Sequence, residues 1–463
     1  MTIWMPALAP DRPRYVAIAD AIAADLAEGK LTIGDRLPPQ RELAWRLGVT
    51  VGTVTRGYQE AERRGLLSAE VGRGSYLKDP ARLRSALPSV LATEPGMLQM
   101  HMAAPPRVHS TADLDLALKE VMSDSTRLRH LDYGPAAGAQ PFREMGAEWL
   151  RRCSVDVSLS EIVVTAGAHA ALIACLAATL RPGDPLLAEP LTYPTLLPIA
   201  RLFGLQLHPL DMDAQGMIPA SLEQACDRFA ARVLYLVPTL HNPTTVTLSA
   251  ERRQAVAAIA KRRGLTIIED DIFRLLAAEP PPATIRSLAP ERTYYIASLS
   301  KTLAPGLRVG FVATPPGAAE ALALQQMIAG SRVASLTAEV ARLWMAGGAA
   351  ERILDEIRNE LAMRRLIVLK AFSDYEPSCT PGAMFIWLPL PEHWRAGEFA
   401  RAAEARGIRV TPGSAFAVGR GANDQAVRIC LGPAEDRDVL KEGLMQLSRL
   451  TAEGPSESFR ALA

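Results

Sequence analysis

Cysteine is scarce in this sequence, and the five present (Cys153, Cys175, Cys226, Cys379 and Cys430) are scattered, odd in number and without a CxxC pair. That argues against a disulfide framework or a structural zinc site, so no metal is expected, and it fits a reducing cytoplasm. Long apolar runs are missing as well. The longest, AHAALIACLAATL, is too short to span a bilayer and contains His169, so no membrane partner is expected. The opening MTIWMPALAPDRPR is interrupted by prolines and charges and makes a poor signal peptide. Nor is there an excess of charge of one sign: 51 Lys and Arg face 50 Asp and Glu, a net charge of +1. No global basic field advertises a nucleic-acid partner. Residues 1–79 alone hold eleven Lys/Arg against ten Asp/Glu, so any DNA contact there depends on where individual arginines sit.

What is present is a globular balance, 49% apolar and 22% charged, over 463 residues, which suggests two or three domains. Residues 12–78 read as short helices followed by a hairpin. Residues 79–110 contain Pro80, Pro88, Pro95, Pro105 and Pro106 without sustained periodicity and read as a linker. Residues 111–455 alternate helical patterns with short apolar runs: EIVVTAG, DPLLAEP, RVLYLVP, GLTIIEDD, TYYIASLS and GLRVGFVA. Strands spaced by helices predict an α/β fold with a large, mostly parallel sheet, and near-continuous apolarity predicts burial on both faces. The later stretch GAMFIWLPL, GIRVTPGSAF, AVRICLG predicts a smaller C-terminal α/β domain.

In the first segment, Ile18, Ile22 and Leu26 form one apolar stripe. Gly48 ends a second helix (RELAWRLG), and Thr50 caps a third, VGTVTRGYQEAERRG, which buries Val54 and Tyr58. Two short helices joined by LGVT make a helix-turn-helix, and LLSAEVGRGSYL makes a wing bearing Arg73. The string LPPQRELAWRLGVTVGTVTRGYQEAERRGLLSAEVGRGSYL resembles the GntR-type winged helix-turn-helix along its whole length. That resemblance implies binding to a double-stranded DNA operator and positions Arg41, Thr50, Thr53, Arg56 and Arg73 for the contact.

The second region carries residue types that pyridoxal 5'-phosphate requires: an amine, an acid for the ring nitrogen, a flat group for the ring and an anion site. Lys301, in SLSKTLAPGLRVGF, follows an apolar strand and supplies the amine; Ser298, Ser300 and Arg308 are suited to the phosphate. Asp270, in IIEDD, supplies the acid. Gly167 and Ala168, in TAGAHAA, open a helix whose N-terminal N–H groups form a phosphate site. Tyr193 could lie on the ring, and Asn242, in HNPTT, could bond the ring hydroxyl oxygen.

In this order the pieces resemble a fold-type I aminotransferase from about Tyr133 to Leu450. The resemblance implies that Tyr133 (YGPAAG) reaches the phosphate of a neighbouring subunit in a homodimer, and that Arg428 (AVRICLG) grips a substrate or effector carboxylate. With the head, the whole chain resembles the MocR (GabR-like) branch of GntR regulators. This implies a PLP-binding regulator in which a small amine or amino-acid effector, or PLP itself, forms a Schiff base in the aminotransferase-like domain and changes operator binding. The alternative is an active PLP-dependent aminotransferase carrying a DNA-binding head. One departure stands out: Phe273 lies where the family usually has tyrosine, so the phenolic oxygen of the cofactor is left to Asn242 and the imine.

Overall fold

The computed structural model describes residues 4–6, 13–28, 30–32, 35–63, 66–70, 74–77, 96–419 and 425–454. The chain divides into two compact units, Met1–Ala92 and Thr93–Ala463. In the first, helices α1 (Arg14–Ala27), α2 (Gln40–Leu47) and α3 (Val51–Arg63) precede an antiparallel hairpin of β1 (Leu67–Glu70) and β2 (Gly74–Leu77). Their apolar faces meet in one core containing Ile18, Ile22, Leu43, Val54, Tyr58 and Leu77. A Cβ on Gly57 would lie 2.9 Å from Ile18 Cγ2, so glycine there lets α1 and α3 approach closely. Gly48 ends α2 at φ 62°, a conformation that only glycine adopts without strain.

The second unit is built on seven strands: β3 (Ile162–Thr165), β4 (Pro185–Ala188), β5 (Gln206–Pro209), β8 (Val233–Leu236), β9 (Thr266–Asp270), β10 (Thr293–Ser298) and β11 (Gly310–Ala313). A small hairpin of β6 (Met212–Asp213) and β7 (Gly216–Met217) lies between β5 and β8 in the chain. The sheet order is β3-β11-β10-β9-β8-β4-β5. Only β11 runs antiparallel to its neighbours, so the sheet is mostly parallel as the sequence predicts. The six residues of β10 are all buried, which explains why its apolar run does not alternate. A second antiparallel sheet, in the order β12 (Phe385–Pro389), β14 (Ala426–Cys430), β13 (Thr411–Pro412), forms the smaller C-terminal layer.

The linker expected over 79–110 does not extend to residue 110. Residues 79–95 lie outside the described residues, but Leu98 pairs with Ile408, and Met100 is fully buried in the C-terminal core beside Phe399 and Leu444. Alternating apolar side chains in LQMHM seat this stretch against the small sheet despite the prolines around it.

Candidate functional site

The carboxyl ends of β3, β4, β8, β9 and β10 lead into the five segments that hold Gly167, Tyr193, Asn242, Asp270 and Lys301. In an open parallel sheet this is where ligands bind.

Three successive acids leave β9, and their partners separate them. Glu269 accepts backbone N–H bonds from Ile285 (2.9 Å) and Arg286 (2.7 Å), which caps a short helix. Asp271 pairs with Arg274 at 3.4 Å and accepts from the Tyr295 hydroxyl at 3.2 Å. Asp270 accepts from the Tyr235 hydroxyl at 2.8 Å through Oδ2, while its buried Oδ1 has no partner among the described residues. Burial raises its pKa to about 6, against the opposing effect of the Tyr235 hydrogen bond. Asp271 Oδ1 also lacks a partner among the described residues. Glu269, however, faces Arg253 and Asp271 faces Arg274, so among the described residues Asp270 is the acid of the three without an ion-pair partner.

Lys301 follows β10 and the turn Leu299–Ser300. Burial first, aided by the like charges of Arg428 and Arg308 and opposed by Cys430 and Asp270, lowers its pKa to about 8. Near pH 7 about a tenth of the amine is then neutral, far more than for an ordinary lysine, as a nucleophile requires. Its Nζ donates to the Ala103 carbonyl. Ser298 Oγ donates to the Val309 carbonyl at 3.2 Å and accepts from Ser300 N, which fixes the turn; Ser300 Oγ is buried without a partner among the described residues. Arg308 adopts φ 52°, uncommon for a residue with a side chain, and donates to the Ala166 carbonyl at 3.0 Å. Beside it Gly167 sits at φ 90° as N-cap of the helix Ala168–Thr179. A Cβ there would lie 3.0 Å from Arg308 Nη2, so the turn and the guanidinium form one closely fitted cradle.

Asn242 is buried and precedes a cis peptide bond to Pro243. Its Oδ1 accepts from Arg428 Nη1 at 2.8 Å, which leaves its Nδ2 donors for another acceptor. Arg428 Nη2 donates to the His101 carbonyl at 2.6 Å, and the guanidinium lies over Phe385 and Phe416. The half-buried Tyr193 has a raised pKa, through burial first and with Asp270, Arg428 and Arg308 in electrostatic reach. Phe273 is buried edge-on to Phe385 at 5.5 Å, with no hydroxyl to offer. Tyr133 is not brought to this cluster: it is 93% exposed under the Arg332 guanidinium.

The donor set fits pyridoxal phosphate. The unpartnered Asp270 Oδ1 suits a pyridinium N–H. The unpartnered Ser300 Oγ and the Gly167–Arg308 cradle suit a phosphate at a helix N-terminus. Sequence reasoning missed Tyr235, His101 and the Ala103 carbonyl. The lone hydroxyl in RVLYLVP was a signal for the first; the other two fell within the stretch read as linker.

In the head, Thr50 Oγ1 accepts from Thr53 N at 3.2 Å and lies 2.9 Å from Thr53 Oγ1, placing both hydroxyls at the start of α3. Arg41 and Arg56 are exposed, and the Arg56 guanidinium lies 4.8 Å from the centre of the Tyr15 ring. Thr55 turns instead to Gln40, donating at 2.7 Å and tying α3 to α2. Arg73 lies outside the described residues.

Fold and site together define an aminotransferase-type domain behind a winged helix-turn-helix. Residues 110–447 match the family of class I and II aminotransferases, and residues 14–77 match the bacterial regulatory proteins of the gntR family. The chain belongs to both families at once, in the arrangement of the MocR branch of GntR regulators. It is 32% identical over 453 residues to the HTH-type transcriptional regulator YdeF of Bacillus subtilis, covering 96% of each chain. It is 30% identical over 428 residues to the vitamin B6 salvage pathway transcriptional repressor PtsJ of Salmonella typhimurium, covering 91% of this chain and 95% of PtsJ. Among solved structures it is similar to the Pyrococcus horikoshii kynurenine aminotransferase in complex with PMP. There the TM-score is 0.71 and the identity 25%, covering 81% of this chain and 93% of the other. The α-aminoadipate aminotransferase LysN of Thermus thermophilus shares the fold, with a TM-score of 0.72 and 24% identity over 88% of this chain and all of LysN. No helix among the described residues is long and apolar enough to cross a membrane.

Proposed function

We propose that the protein is a cytoplasmic, homodimeric transcriptional regulator. Its head binds double-stranded operator DNA, and its aminotransferase-like domain holds pyridoxal 5'-phosphate and senses a small amine, an amino acid or the cofactor itself. The observation that carries this reading is the Lys301 amine at the end of the strand next to Asp270's, with two buried oxygens, Asp270 Oδ1 and Ser300 Oγ, that have no partner among the described residues, in a chain with a helix-turn-helix. The name of PtsJ, a vitamin B6 salvage repressor, supports including the cofactor among the effectors.

When bound, the cofactor supplies an aldehyde for an amine and an electron sink. Lys301 provides the resident amine. Asp270 holds the ring-nitrogen proton at Oδ1, with Tyr235 orienting the carboxylate. Ser298, Ser300, Arg308 and the N–H groups after Gly167 hold the phosphate. Tyr193 covers the ring, Asn242 Nδ2 faces the phenolic oxygen, and Arg428 orients an effector carboxylate. Arg41, Thr50, Thr53, Arg56 and Arg73 meet the DNA. Exposed apolar side chains, Leu116 at 68%, Met122 at 67% and Leu131 at 83%, support a dimer interface next to Tyr133, which would serve the second subunit.

The test is absorbance of the loaded protein combined with a footprint on DNA upstream of its own coding region. Yellow protein whose footprint responds to cofactor or amines supports the reading; colourless protein after cofactor addition overturns it. The presence of every site residue except the usual tyrosine favours a second reading, slow transamination as a side activity. Amino-donor turnover with a keto acid measures it.

A further inference from the structure

The chain enters the second unit through Leu98–Ala104, and this stretch holds the two cations that an effector needs. Its backbone is fastened to the small sheet: Leu98 N donates to the Gly407 carbonyl (2.8 Å), Arg409 N to the Leu98 carbonyl (2.9 Å) and Cys430 N to the Met100 carbonyl (2.7 Å). Beyond these fastenings, the His101 carbonyl accepts from Arg428 Nη2 at 2.6 Å, and two residues later the Ala103 carbonyl accepts from Lys301 Nζ. With Asn242 Oδ1 on Nη1, both arms of the Arg428 fork are taken by neutral acceptors of the chain itself. Arg428 is 4% exposed and has no carboxylate partner among the described residues.

We propose that Leu98–Ala104 is a strap that acts as a resident competitor for the carboxylate subsite, so that a carboxylate ligand binds Arg428 by displacing the His101 carbonyl. This rests on the reading of Arg428 as a carboxylate holder. The exchange is favourable at the guanidinium, because a carboxylate brings an opposite charge and a two-pronged geometry that a neutral carbonyl lacks. The His101 ring does not neutralise Arg428. Burial first, then Arg409 and Arg428, lowers its pKa to about 4, and both ring nitrogens are buried without partners among the described residues. The strap lowers apparent affinity to the intrinsic value multiplied by the fraction of molecules in which it is unfastened. Its release is the first movement that a carboxylate causes, at the point where the chain arrives from the head.

Two glycines remote from the cations allow a test. A Cβ on Gly432 would run into the Ala104 carbonyl oxygen, and one on Gly443 would lie 2.5 Å from Leu98 Cδ2. Gly432→Ala therefore loosens the strap without touching Arg428 or Lys301, and Gly443→Ala does so from the other end if the first variant does not fold. The probe is maleate, with its uncharged diamide as control, on cofactor-loaded full-length protein; titration calorimetry gives affinity and hydrogen exchange reads amides 98–104. The expected result is binding about tenfold tighter in the variant. Exchange in the strap should rise with maleate in the wild type and already be fast in the variant. Equal affinities, with strap exchange unmoved or slowed by maleate, overturn the proposal. Failure of maleate to bind wild type, variant and Arg428→Ala alike overturns the carboxylate reading of Arg428, and the strap with it.

Discussion

Asp270→Asn separates the cost of the buried acid from its use. In cofactor-free protein Asp270 accepts the Tyr235 hydroxyl and has a pKa raised from 3.8 to about 6, chiefly by burial. The folded state thus holds the Asp270 proton more tightly than the unfolded chain. Between pH 4 and pH 6 the folded form is the more protonated, so this group's contribution falls as pH rises and is constant above about 6. A shift of about two units corresponds to about 3 kcal/mol. Asparagine keeps an acceptor for Tyr235 but never ionises. The assay is calorimetric melting of the cofactor-free full-length protein at pH 5 and pH 7.5, following the transition that responds to added cofactor. The difference, variant minus wild type, isolates Asp270 from other groups such as Glu269, whose pKa burial also raises. Relative to the wild type, the variant is expected to gain about 1.4 kcal/mol on going from pH 5 to pH 7.5, because about half of the full effect already lies below pH 5; that is a shift of a few degrees, and the variant also loses most of the stabilisation that cofactor gives the wild type. Parallel pH profiles for the two proteins would refute the reasoning.

Gly167→Ala places a Cβ at φ 90° and 3.0 Å from Arg308 Nη2, so cofactor affinity should fall at least tenfold in an absorbance titration, and backbone strain should cost the cofactor-free protein about 1–3 kcal/mol, read as a lower melting temperature. Phe273→Tyr adds the missing hydroxyl beside the cofactor's phenolic oxygen; the pKa read from the pH-dependent absorbance of loaded protein should fall relative to the wild type. Arg56→Ala, in the first unit, should weaken DNA binding about equally on all sequences and reduce the salt slope by about one, measured by fluorescence anisotropy.

Much of this was legible in the sequence because local chemistry and fold coincide. TYYIASLS could only be a doubly buried strand, which put Lys301 at its carboxyl end. IIEDD announced a costly acid, but which carboxylate remained unpaired depended on Ile285, Arg286, Arg274 and Tyr295, contributed by segments apart from the motif. The stretch around LQMHM misled because prolines dominate its composition while its alternating apolar residues bury in a core supplied some 300 residues later by Ile408 and Leu444. Asn242 was legible as a polar residue after a strand; its bond to Arg428, 186 positions away, was not.

The central claim is that cofactor chemistry in the second unit is reported by the first as a change in DNA binding. A footprint on DNA upstream of the protein's own coding region, with cofactor and a panel of small amines and amino acids, tests it most directly, wild type beside Lys301→Ala. The expected result is protection that changes with cofactor or an amine in the wild type and does not respond in Lys301→Ala. An identical footprint under all conditions, together with amino-group transfer at rates of about 1 per second or more as in typical enzymes, would contradict it.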